Sequence, residues 1–252
     1  MTTLFISDLH LSADRPDITQ CFLSFMEQET QHIDALYVLG DLFEMWIGDD
    51  DDSPFHQQIK HAFKQLTDRG TPCYFIHGNR DFLIGKRFAK ETGMTLLPEH
   101  HVANLYGIPT LILHGDTLCI ADEAYQKYRK KVHNPCLQWL FSCLPLSTRQ
   151  RIGNKMRSGS SQNNQQKSAE IMDVTASEVE RVMAQDGVYR MIHGHTHRPD
   201  IHELTVNGQP AIRIVLGDWY DHGSVLVITP NDYQLETRQF QTEHTLTEHT
   251  LK

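Results

Sequence analysis

The chain has few cysteines, the residues that stabilise many small folds through disulfides or bound zinc. It contains only five cysteines among 252 residues, and no two of them form a CxxC pair. An odd number of cysteines without such a pair argues against a zinc ribbon and against a full disulfide framework. We therefore expect a hydrophobic core to stabilise this chain, which is long enough for one large domain or two small ones.

Long hydrophobic runs are also absent. No run is long enough to span a bilayer, and residues 1–8 show neither a basic region nor an apolar region of the kind found in signal peptides. The chain is 39% hydrophobic and 22% charged, as is typical of globular proteins. These observations predict a cytoplasmic protein that is soluble or at most peripheral to a membrane.

Positive charge is scarce overall but concentrated in one segment. The chain carries 23 Lys and Arg against 32 Asp and Glu, a net charge of −9. This balance disfavours nucleic-acid binding, because affinity for the phosphate backbone comes from clustered basic residues. Residues 124–168, however, contain nine Lys or Arg and no Asp or Glu. A basic segment in an acidic chain predicts an anionic partner.

Short apolar runs alternate with stretches of helical spacing. Amphipathic helices are predicted at about residues 18–31 and 54–69. Five apolar runs end in Gly or polar residues, as buried strands do. These runs are residues 4–6, 36–39, 73–76, 111–113 and 191–192. The alternation indicates an α/β fold, in which ligand sites gather beyond the carboxyl ends of the strands.

Residues 122–170 interrupt this alternation. Basic and aromatic residues come first, the apolar segment 135–146 follows, and a second basic stretch leads into the polar segment 158–167. We interpret the region as a helical insert that ends in a Gly/Ser/Asn loop. The apolar segment allows two interpretations, packing on the body of the protein or forming a lid. The main domain would span 1–240, and 241–252 would be a polar tail without an assigned function.

Each of the five apolar runs is followed by side chains that can bind a metal ion. These candidate ligands are Asp8, His10, Asp41, Asn79, His114, His195 and His197. They offer carboxylate, imidazole and amide groups but no thiolate, which suits manganese, iron or zinc better than copper. Seven ligands suit two ions that share a carboxylate. A two-metal centre can make a nucleophile from water and hold both oxygens of a displacement at phosphorus.

The fragments that carry these ligands resemble the calcineurin-like metallophosphoesterase superfamily. In chain order they are Asp8-x-His10, Gly40-Asp41, Gly78-Asn79-Arg80-Asp81, His114-Gly115 and Gly194-His195-Thr196-His197. Up to about residue 240 the chain is more closely similar to the UDP-2,3-diacylglucosamine diphosphatases. That similarity rests on the longer segments 5–11, 40–50, 77–82 and 193–199. It implies a four-layer αββα metallophosphoesterase sandwich with a helical insert, the lid.

This resemblance also implies an activity and a location. The family consists of manganese-dependent hydrolases of lipid A biosynthesis. They cleave the pyrophosphate of UDP-2,3-diacylglucosamine to UMP and 2,3-diacylglucosamine 1-phosphate, with water attacking the α-phosphorus on the UMP side. By this resemblance the protein would be peripheral to the cytoplasmic face of the inner membrane, with the anionic membrane surface as a partner of the basic insert.

The resemblance further implies a role for each matching position. One metal ion would be bound by Asp8, His10, Asp41 and His197, and the other by Asp41, Asn79, His114 and His195. Substrate contacts would fall on Asn79, Arg80, Asp122, Ser160, Asn164, Lys167 and His195. The catalytic residues would be Asn79, Arg80 and His195.

Arg80 gives a separate physical argument for the substrate class. Many phosphatases of the superfamily have a His at this position, which can protonate an alkoxide leaving group. An Arg stays charged, but it can bind phosphate oxygens in a bidentate fork and offset charge in the transition state. A phosphate leaving group has a last pKa of about 6 and needs little protonation. Arg80 therefore favours a P–O–P substrate.

Two other functions remain open from the sequence. A soluble phosphatase or phosphodiesterase acting on nucleotides or phosphoproteins would use the same metal ions without needing an apolar insert. A metal-free binding scaffold is disfavoured by the complete ligand set. The acidic segment 49–52 is predicted to be a solvated loop, and Trp46 is predicted to serve packing. Asp81 would either orient a metal ligand or Arg80, or make ordinary loop hydrogen bonds. The oligomeric state is not predicted.

Overall fold

Two β-sheets lie at the centre of the computed structural model, which describes residues 1–164 and 173–240, with side chains of the last helix of the insert described as far as Arg157. The first sheet has the order β11-β10-β1-β2-β3-β4 and the second the order β5-β6-β7-β9-β8. The strands of the first sheet are β1 (Thr3–Ile6), β2 (Ala35–Val38), β3 (Cys73–Phe75), β4 (Thr95–Leu96), β10 (Gly223–Ile228) and β11 (Tyr233–Arg238). Those of the second are β5 (His100–Leu105), β6 (Ile108–Leu113), β7 (Arg190–His193), β8 (Asp200–Val206) and β9 (Gln209–Val215).

The strand directions bring the predicted ligand loops to one edge of each sheet. Strands β1 to β4 run parallel, and so do β6, β7 and β9. The antiparallel pairs lie toward the outside of the sheets. Because parallel strands end on the same side, the residues that follow them can meet at one edge.

Helices lie on the outer faces of the two sheets and form the insert. Their bounds are α1 (Pro16–Gln28), α2 (Pro54–Asp68), α3 (Lys86–Thr92), α4 (Glu123–Val132), α5 (Pro135–Ser142), α6 (Leu146–Asn164) and α7 (Ala176–Asp186), with a 3₁₀ helix at Asp116–Leu118. The predicted helices at 18–31 and 54–69 correspond to α1 and α2. A proline begins each of these two helices, and Ser53 caps α2 by accepting a hydrogen bond from the His56 amide.

Three apolar clusters separate the layers. One packs α1, α2 and α3 on the first sheet through residues such as Phe22, Phe63 and Trp219. A second lies between the sheets and includes Phe5. The third packs α7 on the second sheet through residues such as Met183. The layer order is therefore helix, sheet, sheet, helix, and the expected αββα sandwich is confirmed.

The acidic segment after β2 makes hydrogen bonds within the protein and is not simply solvated. Asp49 accepts hydrogen bonds from the backbone amides of Gly85, Arg87 and Phe88 and from Trp46 Nε1. Asp51 is buried. The predicted solvated loop is wrong for these two residues. Asp49 binds amides of a segment distant in sequence, whereas Asp51 is buried against its neighbours Ser53 and His56. Trp46 is only 2% exposed, which confirms its predicted packing role.

The insert is helical, but its polar end differs from the prediction. Helix α6 continues through the segment 158–164, where we predicted a loop. Gly costs about 1 kcal/mol in a helix and Ser less, and extending an existing helix is far easier than starting one. Residues 165–167, the rest of the predicted loop, lie outside the described residues.

The apolar segment of the insert faces outward. In the described part of the chain, α4 and α5 contain no buried residue. Trp139 is 67% exposed and Leu140 54% exposed. The segment therefore does not pack on the body of the protein, which was one of its two interpretations. No helix in residues 1–164 and 173–240 is long and apolar enough to cross a membrane.

Candidate metal centre

The seven predicted ligands follow the ends of five strands, and the loops that carry them are joined by backbone hydrogen bonds. The Asp8 amide donates to the Gly40 carbonyl over 3.0 Å, which joins the loops after β1 and β2. The Gly194 amide donates to the His114 carbonyl over 2.8 Å, which joins those after β7 and β6. The His195 amide donates to Asp8 Oδ2 over 2.9 Å and links the two sheets. The ligands therefore belong to one site.

Backbone strain is concentrated on the ligands. Among the described non-glycine residues, seven have positive φ. Five of them are predicted ligands: Asp8 at 54°, His10 at 50°, Asp41 at 50°, His195 at 71° and His197 at 56°. The other two, Tyr106 and Asn207, occupy the turns of the β5–β6 and β8–β9 hairpins. Such conformations cost about 1–3 kcal/mol each and cluster at functional sites. The strain therefore supports a functional role for this edge.

Two glycines allow the ligand loops to come close together. A Cβ atom at Gly78 would lie 2.1 Å from Asp41 Oδ1, and one at Gly194 would lie 2.3 Å from Asp8 Oδ2. Real Cβ atoms do not come so near to other atoms. The Gly-Asn-Arg-Asp and Gly-His-Thr-His fragments thus need glycine because a ligand carboxylate occupies the space of its side chain.

The first group of ligand atoms contains Asp8, His10 and His197, whose atoms lie within 4.8 Å of one another. The Nε2 atoms of His10 and His197 are 3.3 Å apart. His197 Nε2 lies 3.3 Å from Asp8 Oδ1, and His10 Nε2 lies 3.9 Å from Asp41 Oδ2. The four residues expected to hold one metal ion are thus brought together.

The second group contains Asp8, Asp41 and His114, again within 4.8 Å. His114 Nε2 lies 3.8 Å from Asp41 Oδ1 and 3.1 Å from Asn79 Oδ1. The His195 ring is edge-on to the His114 ring, with 5.0 Å between centroids. The two oxygens of Asp41 therefore face different groups, as a bridging ligand requires. Asp8 also reaches this group, although the sequence placed it with the first ion only.

Three of the candidate histidines have an oxygen atom close to Nδ1, the ring nitrogen that faces away from the proposed ions. His114 Nδ1 lies 2.8 Å from the Leu39 carbonyl. His197 Nδ1 lies 3.3 Å from Asp218 Oδ2, and His10 Nδ1 lies 3.2 Å from Glu44 Oε2. A hydrogen bond such as that of His114 fixes the ring and leaves Nε2 available for an ion, whereas the buried His10 Nδ1 makes no hydrogen bond within the described residues.

The donor set fits divalent cations. Asp8 Oδ1 is buried, and no group among the described residues donates a hydrogen bond to it. A buried carboxylate oxygen without a donor is costly unless a cation compensates it. The opposed Nε2 atoms of His10 and His197 are likewise two acceptors directed at one point when their rings are neutral. Divalent metal ions of the type expected from the sequence would satisfy these atoms.

The buried charges shift the pKa values of the ligands. Burial would raise the pKa of Asp8, but contact with His197 keeps this pKa well below its usual range. Burial would lower the pKa of His114, but the Asp41 and Asp8 carboxylates raise it to about 9. Burial and the nearby His114 lower the pKa of His195 to about 3, so its ring is neutral.

Asp81 joins two ligand loops. Its carboxylate is fully buried and accepts hydrogen bonds from the Gly78 amide over 2.9 Å and the Leu42 amide over 2.7 Å. Burial and the Asp41 charge raise the pKa of Asp81 to about 7. Asp81 therefore joins the loops that carry Asp41 and Asn79 through hydrogen bonds to backbone amides, which is the loop hydrogen bonding of its second interpretation.

Arg80 lies at the rim of the ligand cluster. Its backbone amide donates to Asp41 Oδ1 over 2.8 Å, and its Nη1 lies 3.9 Å from Glu44 Oε1. Its Nε is buried and has no hydrogen-bond partner among the described residues. Sequence reasoning gave Glu44 no role. Only its place in the segment 40–50 could have drawn attention to it.

A second missed cluster lies beside His195. Tyr125 OH donates to Asp116 Oδ2 over 2.7 Å, and Arg129 Nε donates to the same oxygen over 2.5 Å. The Tyr125 ring is 6.0 Å from the His195 ring. Asp122, a predicted substrate contact, accepts from the Tyr125 amide over 3.0 Å and caps α4. These contacts fix the start of the insert against the metal centre.

The remaining predicted substrate contacts are not described at the level of side chains. Ser160 and Asn164 belong to α6, beyond the point to which its side chains are described. Lys167 lies outside the described residues.

Comparison with known proteins gives the class to which this fold and site belong. The calcineurin-like phosphoesterase family matches residues 1–199. The chain therefore belongs to that family. Among solved structures, it is similar to zinc-complexed Vps29 from Entamoeba histolytica, with 14% identity, a TM-score of 0.48 and coverage of 96% of this chain and 100% of the other.

Curated relatives define a narrower group. The chain is 73% identical over 240 residues to the UDP-2,3-diacylglucosamine hydrolase of Photobacterium profundum, covering 95% of this chain and 98% of the relative. It is 57% identical over 242 residues to that of Vibrio parahaemolyticus, covering 96% and 100%. Within the phosphoesterases, the chain therefore belongs to the UDP-2,3-diacylglucosamine hydrolases.

Proposed function

We propose that this protein hydrolyses the pyrophosphate bond of UDP-2,3-diacylglucosamine, giving UMP and 2,3-diacylglucosamine 1-phosphate for lipid A biosynthesis. The observation that carries the proposal is that the chain is 73% identical, over 95% of its length, to a relative named for this substrate, and that five predicted ligands, Asp8, His10, Asp41, His114 and His197, fall into two groups that could hold a metal ion. That identity covers the insert as well as the ligand loops. A rival phosphatase for soluble substrates would leave the exposed apolar surface of the insert without a role.

Two divalent ions, which we propose to be Mn²⁺, would be held by the ligand groups. Asp8, His10, Asp41 and His197 would hold one ion. Asp41, Asn79, His114 and His195 would hold the other, with Asp41 as the bridge. When bound, the ions lower the pKa of water and neutralise charge on phosphate oxygens.

The protein's own groups then have distinct tasks in the reaction at the α-phosphorus. We expect Arg80, Asn79 and His195 to be the catalytic residues. The Arg80 guanidinium would bind phosphate oxygens and offset the charge that develops on them. The leaving group is a phosphate with a last pKa of about 6, so no general acid is needed. The low pKa of His195 agrees with a reaction that needs no general acid, because a neutral imidazole can bind an ion but cannot donate a proton in this way.

The helical insert would act as a lid that binds the lipid part of the substrate. Its exposed apolar side chains include Leu137, Trp139 and Leu140, and the last turn of α4 carries the exposed Lys130 and Lys131. Such a surface suits acyl chains beside phosphate groups and also an anionic membrane. We therefore propose a main domain of 1–240 with a lid at about 122–170, peripheral to the cytoplasmic face of the inner membrane. Asp122, Ser160, Asn164 and Lys167 would contact substrate.

The activity is tested by mass spectrometry of the products in ¹⁸O-water. Chelator-treated protein should be inactive, and Mn²⁺ should restore cleavage of UDP-2,3-diacylglucosamine more effectively than Zn²⁺ or Mg²⁺. The label should appear in UMP, and unacylated UDP-N-acetylglucosamine should be cleaved far more slowly. Absence of turnover with every metal would overturn the substrate assignment. Equal cleavage of the unacylated compound would favour the soluble-substrate phosphodiesterase.

Membrane association is tested by sedimentation with vesicles that contain phosphatidylglycerol. The double variant Trp139→Ser/Leu140→Ser should lose binding, because it removes the two most exposed apolar side chains of α5. Ile108→Ser is a matched control, since Ile108 is also exposed but lies on the second sheet, at the start of β6. Equal binding by all three proteins would contradict the proposed membrane surface.

A further inference from the structure

One face of α6 lies along the segment that follows Asp41. Arg149, Gly153 and Arg157 are spaced four residues apart, so they share a face of the helix. Arg149 Nη1 donates to the Ile47 carbonyl over 2.7 Å and to Asp50 Oδ1 over 2.8 Å. This buried arginine fixes the first half of α6 on the segment 44–50, which we call the docking loop.

Gly153 brings the helix close to this loop. A Cβ atom at Gly153 would lie 2.3 Å from Met45 Sδ and 3.2 Å from Ile47 Cγ2. The helix can approach so closely because it has no side chain at this point. The contact between α6 and the docking loop is therefore continuous from Arg149 to Arg157, two turns further along.

At the end of this contact, Glu44 faces three cationic or ionisable groups. Arg157 Nε lies 3.1 Å from Glu44 Oε1, and Arg80 Nη1 lies 3.9 Å from the same oxygen. The other oxygen, Oε2, lies 3.2 Å from His10 Nδ1. The Glu44 side chain is 12% exposed, whereas that of Arg157 is 45% exposed. One carboxylate thus contacts the insert, a catalytic residue and a metal ligand.

The backbone around Glu44 is held from both sides. The Glu44 amide donates to the Leu11 carbonyl over 3.1 Å, next to His10. The Trp46 amide donates to the Arg80 carbonyl over 3.0 Å. Hydrogen bonds therefore join the docking loop to the loops that carry His10 and Arg80. A change in the position of α6 would be transmitted to both of them through Glu44.

We propose that Glu44 is a positioning residue that couples α6 of the insert to the metal centre, so that the lid and the phosphate-binding Arg80 adopt their working positions together. This inference rests on the proposed function for its kinetic consequence, but not for its structural one. Without the Glu44 charge, Arg80 and Arg157 would repel each other near one point, and α6 would be released from the docking loop at Arg157. An exposed ion pair alone would contribute little. The coupling arises because Glu44 is largely buried and shared.

The structural test compares hydrogen–deuterium exchange of α6 in metal-free protein. Glu44→Gln preserves the size of the side chain and removes its charge, and Arg157→Gln breaks the same pair from its exposed side. Both variants should raise the exchange rate of the second half of α6 about tenfold, a coupling of ordinary strength. Arg151→Ala is the matched control, because Arg151 is exposed on the same helix and makes no ion pair within the described residues. It should exchange as the parent does.

The kinetic test uses metal-saturated protein and UDP-2,3-diacylglucosamine. Glu44→Gln and Arg157→Gln should each lower kcat/KM about tenfold, and the double variant should be no worse than either single one, because they act on one contact. Glu44→Asp should recover part of the loss. Exchange and kcat/KM of Glu44→Gln equal to those of the parent, or additive losses in the double variant, would overturn the proposal. If the parent itself fails to cleave this substrate, the proposed function fails, while the exchange comparison still decides the coupling.

Discussion

Replacing Gly78 by Ala should damage the metal centre without damaging the fold elsewhere. The φ angle of Gly78 is not positive, so Ala incurs no left-handed backbone penalty there. The new Cβ would instead lie 2.1 Å from Asp41 Oδ1 and 2.4 Å from the Asp41 amide nitrogen. Because ordinary C···O contacts begin at about 3.3 Å, Asp41 and the loop must separate by about 1 Å. A misplacement of about 1 Å can lower a rate about 100-fold.

The assay has two readouts, kcat with UDP-2,3-diacylglucosamine at saturating Mn²⁺ and the affinity for Mn²⁺ by calorimetry. Both should fall for Gly78→Ala, because Asp41 is the expected bridging ligand. Gly70→Ala is the control, since Gly70 has positive φ but no atom within 4 Å of an added Cβ. It should lose some stability and keep both site properties. A folded Gly78→Ala protein with the parent's kcat and Mn²⁺ affinity would refute the geometric reasoning.

Two further predictions concern stability. Asp81→Asn should lower the free energy of unfolding by about 1–3 kcal/mol. The two carboxylate oxygens accept from the Gly78 and Leu42 amides, whereas the single oxygen of Asn can replace only one of them. An unchanged urea midpoint would contradict this. Trp46→Ala should lower it by about 3–5 kcal/mol because the ring is buried, whereas Trp139→Ala on exposed α5 should change it by less than about 0.5 kcal/mol. Thermal unfolding of the two Trp variants side by side checks the contrast.

The sequence was sufficient to predict where the candidate ligands lie, because their position is a local property of each strand. An apolar run such as 36–39 identifies a buried strand, and the polar residue after it must lie at the strand's carboxyl end. Five such ends in a parallel arrangement then meet by topology alone. The αββα layering was predicted through the family resemblance, since strand–helix alternation by itself does not distinguish one sheet from two.

The residues that sequence reasoning missed are those defined by distant contacts. Glu44 meets Arg157 from the insert, and Asp49 meets amides of α3, so neither partner can be inferred from neighbouring letters. The helical end of α6 was missed for a different reason. Gly159 and the polar residues around it favour a loop only weakly, and a preceding helix can override that preference.

The strain at the ligands distinguishes this centre from a chance cluster of acids and histidines. Positive φ at Asp8, His10 and Asp41 would be relieved by Gly, which populates that region freely. Folding alone would therefore favour Gly at these positions, yet a Gly would remove a proposed metal ligand. The three apolar clusters supply the stability that offsets this strain. The fold thus holds its least favourable backbone conformations where the proposed chemistry requires side chains, as expected if these residues serve catalysis rather than packing.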